Sequence, residues 1–231
     1  MTAGSAPLLN IYLLAGVKTP VASFAECCRK LDALFREEGR EPRIFVLMPY
    51  GDYTRRLLRQ LSEVSTDVPY RSVLGRVGGR TAADFIRSTY RSGPLLLIGH
   101  SGGGAAAYQA ARMLPDVSRR GDVRIVQIGS PKVPIDPSFR DRVGYFYAID
   151  ADGRTVDRIS RLGSWGGWRR GRYALPRWDR MKFAPGLVEG LPVMGGHADY
   201  FRHEPDFTDA DSICNLDKTI RVIRSWLKDW G

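Results

Sequence analysis

A serine set among glycines, "GHSGG" at residues 99–103, stands between the apolar run "LLLI" and the alanine-rich run "GGAAAYQAARML". The spacing is that of G-x-S-x-G, in the setting this motif requires, with a strand before it and a helix after it. There the serine occupies a sharp, strained turn, and glycine at 99 and 103 keeps neighbouring side chains from colliding with it. Such a turn lifts Ser101 Oγ above a sheet, directs the positive end of the following helix at it, and aims the Gly102 N–H where an oxyanion would form. The chemistry this serves is attack on a carbonyl carbon. A glycine turn also suits tight packing or the cradling of a phosphate, so the reading depends on partners for the serine.

A serine hydroxyl is a poor nucleophile at neutral pH without a general base, and the chain has three histidines. His100 lies inside the turn, where a ring reads as packing, because the base must face Oγ. His197, in "MGGHADYF", follows the apolar "LPVM" with two glycines that let the chain turn. His203, in the charged "RHEPD", reads as a solvated surface residue. His197 is therefore the expected base.

Positioning these residues falls to apolar runs at Ile11–Ala15, Ile44–Met48, Leu95–Ile98, Val123–Ile128 and Val143–Ile149. Continuous rather than alternating runs of this length describe strands buried on both faces. Helical stretches lie between them: "VASFAECCRKLDALFREEG", "TAADFIRSTYRSG" and "GGAAAYQAARML", with a last amphipathic helix carrying Leu216, Ile220, Ile223 and Leu227. The alternation predicts an α/β fold, a mostly parallel sheet with helices on both faces and its ligand edge at the strand C-termini. Residues 158–190 break the rhythm and read as an irregular insertion within one domain spanning 1–231. Its Trp165, Trp168 and Trp178, with Tyr173, Phe183 and many arginines, are candidates to line a substrate pocket or lid, or simply to anchor a loop whose arginines are solvated.

With the turn and this order of elements in hand, the chain resembles α/β-hydrolases, in particular the class 3 lipase and esterase group. "VQIGSPKVPID" is similar to the "GSPRVG"-like turn of those lipases, and "VDRISRLG" to the "DxVxRLP" segment that carries their acid. The resemblance implies chain order Ser, acid, His, which Ser101 and His197 satisfy. It favours Asp157 as the acid, while position at the end of a strand favours Asp150, leaving Asp150 as the alternative. It also implies a second oxyanion donor, the Val17 N–H in "AGVKTP", with Gly16 permitting close approach; Lys18 beside it reads as a solvated lysine, with added positive charge at the site as the alternative. The activity implied is hydrolysis of a small or lipid-like acyl ester through an acyl-enzyme, with an acyl thioester or a non-catalytic binding role as the alternatives.

Bulk properties bound the partners. Of 231 residues, 43% are hydrophobic and 26% charged, which suits a globular fold and excludes disorder. The net charge of +10 admits weak, salt-sensitive contact with an anionic membrane surface. Six of the 35 basic residues are lysine, an arginine bias that genome composition also produces. No nucleic-acid recognition motif occurs, and no H-E-x-x-H or cysteine spacing suggests a metal. No cofactor is expected. Cys27, Cys28 and Cys214 make no disulfide framework, and the N-terminal run is too short to span a bilayer, so a cytoplasmic location is expected.

Overall fold

The apolar runs become a six-stranded sheet because both faces of each central strand are covered. The computed structural model describes residues 6–17, 24–51, 77–119, 123–171, 175–228 and 230. The sheet contains β1 (Leu8–Leu14), β2 (Glu41–Leu47), β3 (Leu95–His100), β4 (Val123–Ile128) and β5 (Val143–Ile149). A hairpin of β6 (Gly167–Arg170) and β7 (Pro176–Asp179) stands apart, and β8 (Leu187–Pro192) returns to the sheet. The order is β2-β1-β3-β4-β5-β8, every neighbour parallel.

Strand alternation divides the core in two. Leu9, Ile11 and Leu13 of β1, with Leu96, Ile98, Val126 and Phe146, meet Leu31 and Phe35 of α1 (Ala25–Glu37) and Leu216 and Ile223 of the last helix, Asn215–Leu227. The opposite face presents Tyr12, Leu14, Leu95, Leu97 and Ile125 to α2 (Val77–Thr89) and α3 (Gly102–Arg112). Each such leucine or isoleucine contributes about 1.5–3 kcal/mol by leaving water. The long run of alanines in α3 lets that helix lie close against β3 and β4. Pro115 opens a short helix α4 (Pro115–Arg119), where a proline's missing N–H costs nothing. The last helix, Asn215–Leu227, is α5.

Because β1 pairs with β2 on one side and β3 on the other, chain direction across the sheet reverses between β1 and β3. At such a reversal the connections leave to opposite faces and a crevice opens beyond the strand C-termini. Ser101 follows β3 and Gly16 follows β1, so both lie at that crevice. Among the described residues, no helix is long and apolar enough to cross a membrane.

The segment 158–190 is more ordered than the irregular insertion expected from its sequence. It contains the β6–β7 hairpin and supplies the first residues of β8, which pairs with β5 from Gly144↔Leu187 to Ile149↔Pro192. Glu189, Gly190 and Pro192 interrupt the apolar run of β8, and an edge strand tolerates them because one side needs no ladder. Among the described residues, no helix of the β5–β8 connection covers the sheet face that carries Tyr145, and Trp165 takes that place. It is buried edge-to-face on Tyr145 at 4.8 Å, packs with Ala184, and has the Lys132 ammonium 5.3 Å from its ring centre. Trp165→Ala should therefore destabilise the fold by about 3–5 kcal/mol, measured by equilibrium urea unfolding; a loss below about 1 kcal/mol would show that the crossover packs without it.

Candidate active site

The turn after β3 holds Ser101 at φ 55°, ψ −131°, a conformation that costs a non-glycine residue about 1–3 kcal/mol and needs support from its surroundings. Support comes from three hydrogen bonds. The Ser101 N–H donates to the Ile128 carbonyl (2.9 Å), the Gly104 N–H donates to the Ser101 carbonyl (3.0 Å), and the buried Tyr50 hydroxyl donates to the Gly102 carbonyl (3.1 Å). A methyl group at Gly99 or Gly103 would run into backbone, that of α3 and that of the end of β1 respectively. The Gly102 N–H, in the first turn of α3, has no intrahelical acceptor and lies at the positive end of that helix.

The loop after β1 crosses directly over the serine. A Cβ on Gly16 would come within 2.5 Å of Ser101 Cβ and 3.0 Å of Oγ, so glycine is required there, and Val17 is the next residue along the chain. Lys18 lies outside the described residues, as do Arg172 and Tyr173.

His197 follows β8 and reaches back over the sheet edge. Its Nε2 is 2.9 Å from Ser101 Oγ, and its Nδ1 is 3.0 Å from both carboxylate oxygens of Asp157. With Nδ1–H donating to the carboxylate, Nε2 is left to accept from the serine hydroxyl. The loop that carries His197 is pinned by buried Asn215 at the start of α5. Asn215 Nδ2 donates to the carbonyls of Met194 (2.7 Å) and Asp199 (3.0 Å), and its Oδ1 accepts from the Met194 N–H (2.8 Å).

Asp157 is fully buried. Burial alone would push its carboxyl upward, but hydrogen bonds from His197 and Tyr200, the nearby His197 charge and the Ile159 N–H hold it below the ordinary aspartate value. The Tyr200 hydroxyl donates to Oδ2 (2.7 Å) and accepts from the Ala148 N–H (2.7 Å), while Oδ1 accepts from Ile159 N–H (2.8 Å). Asp150, the alternative acid, is occupied elsewhere: its Oδ1 accepts from the N–H groups of Asp152 (3.0 Å) and Arg154 (2.8 Å), closing the turn after β5. Of the two aspartates, the structure brings Asp157 to the imidazole.

His100 packs beneath His197, rings stacked at 5.0 Å, and donates from Nε2 to the His197 carbonyl (2.9 Å). Burial, with the neighbouring His197 charge, lowers its pKa to about 4. His203 is exposed. Of the three tryptophans expected at a pocket, Trp165 is in the core, while Trp168 and Trp178 stand exposed on the hairpin. Tyr200 and Asn215 were not singled out from the sequence; Tyr200, three residues after His197, carries no local signal beyond that proximity.

Parallel sheet order, a strained serine turn and a hydrogen-bonded Ser–His–Asp relay define a protein of the α/β-hydrolase fold. No protein-family model matches the sequence, and no curated protein does. Among solved structures, the chain is similar to the NocB thioesterase domain of the nocardicin cluster, seen in covalent complex with a fluorophosphonate nocardicin G analogue. That match has 17% identity and a TM-score of 0.50, over 95% of this chain and 94% of that one. It is also similar to the RedJ thioesterase of the prodiginine pathway in Streptomyces coelicolor, with 16% identity and a TM-score of 0.51 over 98% and 91% of the two chains. A third is the lin2722 gene product of Listeria innocua, at 15% identity and a TM-score of 0.50 over 97% and 95%.

Two outcomes test this arrangement. Tyr200→Phe removes a donor to Asp157 and leaves the Ala148 N–H without its acceptor. Carboxyl NMR titration should show the Asp157 pKa rising, with a stability loss of about 1–3 kcal/mol; an unchanged pKa would mean Tyr200 only fills space. His100 has a pKa of about 4 when folded against 6.5 as a free side chain, so between those values protons bind the unfolded chain preferentially. Stability should be complete above the upper value and fall by about 3 kcal/mol as pH drops through the window. His100→Gln should flatten that part of the profile, and an unaltered slope would assign it to another group.

Proposed function

We propose that the protein is a serine hydrolase that cleaves a carboxylic ester with a small or lipid-like acyl group. The observation that carries this is the His197 imidazole bridging Ser101 Oγ at 2.9 Å and the buried Asp157 carboxylate at 3.0 Å. In this reading Ser101 Oγ attacks the acyl carbon as its proton passes to His197 Nε2, and Asp157 stabilises the imidazolium and holds its tautomer. The N–H groups of Gly102 and Val17 receive the oxyanion of the tetrahedral intermediate; one such donor is worth ~10²–10³ in rate. The tetrahedral intermediate then collapses, the leaving oxygen taking the proton from His197. Water, deprotonated by His197, releases the acid and restores Ser101. The lowered pKa of Asp157 keeps it ionised through the neutral range, as this role demands.

An acyl thioester is the second reading. The same attack serves it, and two of the structural neighbours are described as thioesterases. We assign the reaction to the cytoplasm, in keeping with three unpaired cysteines, Cys27, Cys28 and Cys214.

Intact-mass analysis after a fluorophosphonate probe tests the proposal. One adduct is expected on the native chain and none on Ser101→Ala. Initial rates on matched acyl esters and acyl thioesters then separate the two substrate classes. Asp157→Asn should lower kcat by about 10⁴, and Asp150→Asn should leave it near the native value. A well-folded native chain that takes no adduct would overturn the hydrolase reading in favour of a non-catalytic binding role.

A further inference from the structure

The β6–β7 hairpin carries a charge pattern that the fold itself does not need. Arg169 and Arg177 lie directly opposite each other across the two strands, an arrangement that destabilises a sheet. A two-stranded ribbon is marginal even without that repulsion. Among the described residues, the carboxylate that pairs with these arginines is Asp179, and it takes Arg169 at 2.7 Å. Arg170, Arg177 and Arg180 are exposed and surround, with Arg169 and Trp178, a recess of about 490 Å³.

Apolar side chains share the hairpin with these cations. Trp168 and Trp178 oppose each other on one face, rings 5.4 Å apart at 77°, and are 61% and 48% exposed. Arg170, two residues from Trp168, shares their face, whereas Arg169 and Arg177 occupy the other. Leu175 and Met181, which flank β7, are exposed as well.

We infer that this hairpin docks the protein on an anionic phospholipid surface. Among the described residues, both faces of the ribbon carry an arginine without a carboxylate partner. A folded acidic protein pressed against one face would leave the other uncompensated, but a headgroup layer surrounds an inserted hairpin on all sides. Phosphate oxygens satisfy the guanidinium groups, and the tryptophan rings reside at the headgroup level, where amphipathic aromatics are most stable. The hairpin belongs to the connection between β5 and β8, which also carries Asp157, so docking sets the Ser101 crevice at a defined height above the lipid. This inference stands apart from the proposed hydrolysis, since it needs no reaction at Ser101.

Co-sedimentation of the full chain with vesicles tests it. Native protein should bind equimolar phosphatidylserine and phosphatidylcholine vesicles, bind phosphatidylcholine alone far more weakly, and be released at about 1 M salt, where the Debye length shrinks to about 3 Å. At about 5-fold per arginine, R170Q/R177Q/R180Q should lower the affinity on the order of 100-fold. W168A/W178A should also weaken binding and abolish a blue shift in tryptophan emission on vesicle addition. Thermal unfolding midpoints of both variants serve as the control for folding. Ser101→Ala should bind like the native chain, so loss of hydrolysis and loss of docking are separate results. The inference is overturned if the native chain does not bind, or if the arginine variant binds equally well. It is also overturned if W168A/W178A binds vesicles unimpaired while soluble polyglutamate competes the native chain off, an outcome that would assign the surface to an acidic protein.

Discussion

A carboxylate with no exposure to water, Asp157, is tolerable only when its charge is satisfied on every side, and much of the site follows from that requirement. Its acceptor capacity is filled by Tyr200, by the Ile159 N–H at the turn after β5, and by the His197 ring. His197 and Tyr200 come from one loop and Ile159 from the carboxylate's own turn, so the carboxylate ties the segment after β5 and the His197 loop into one unit. Tyr200 extends the unit by accepting from the Ala148 N–H within β5 itself. The histidine is thereby oriented toward Ser101.

The serine is held by a different constraint, backbone strain. Ser101 keeps its positive φ because β4, Tyr50 and α3 each take up one of the local hydrogen bonds. Reversal of direction between β1 and β3 brings the Gly16 backbone against the same residue. A strained serine, a helix N-terminus and a crossing backbone segment thus converge at the sheet's switch point, while the buried carboxylate anchors His197 from the far side. His100 joins the two halves, lying in the turn and donating to the His197 carbonyl. Its low pKa keeps it neutral beside the His197 ring.

The crossover between β5 and β8 divides its aromatic residues between two duties. Trp165 plugs the sheet against Tyr145 in place of a helix, whereas Trp168 and Trp178 project on a basic hairpin. In sequence these residues look alike, each within four residues of an arginine. Only the register of a short antiparallel ribbon separates them, and four-residue strands leave too faint a periodicity to read.

Local sequence determined a good deal. Continuous apolar runs specified buried parallel strands, since only a strand covered on both faces lacks polar alternation, and glycines around Ser101 specified the turn because nothing larger fits there. His197 was legible from its chain position and its glycines. The choice between Asp157 and Asp150 was not, because both follow β5 closely and the deciding contact is made with a loop some forty residues further on. Tyr200, Asn215 and the true length of the sheet's edge strand β8 were hidden for the same reason. Hydrogen-bond partners distant in the chain leave no mark on local composition, and an edge strand needs no unbroken apolar run. Residue types and short-range sterics set the elements and the serine turn; the packing of those elements decided which carboxylate, which hydroxyl and which tryptophan face the site, the core or the solvent.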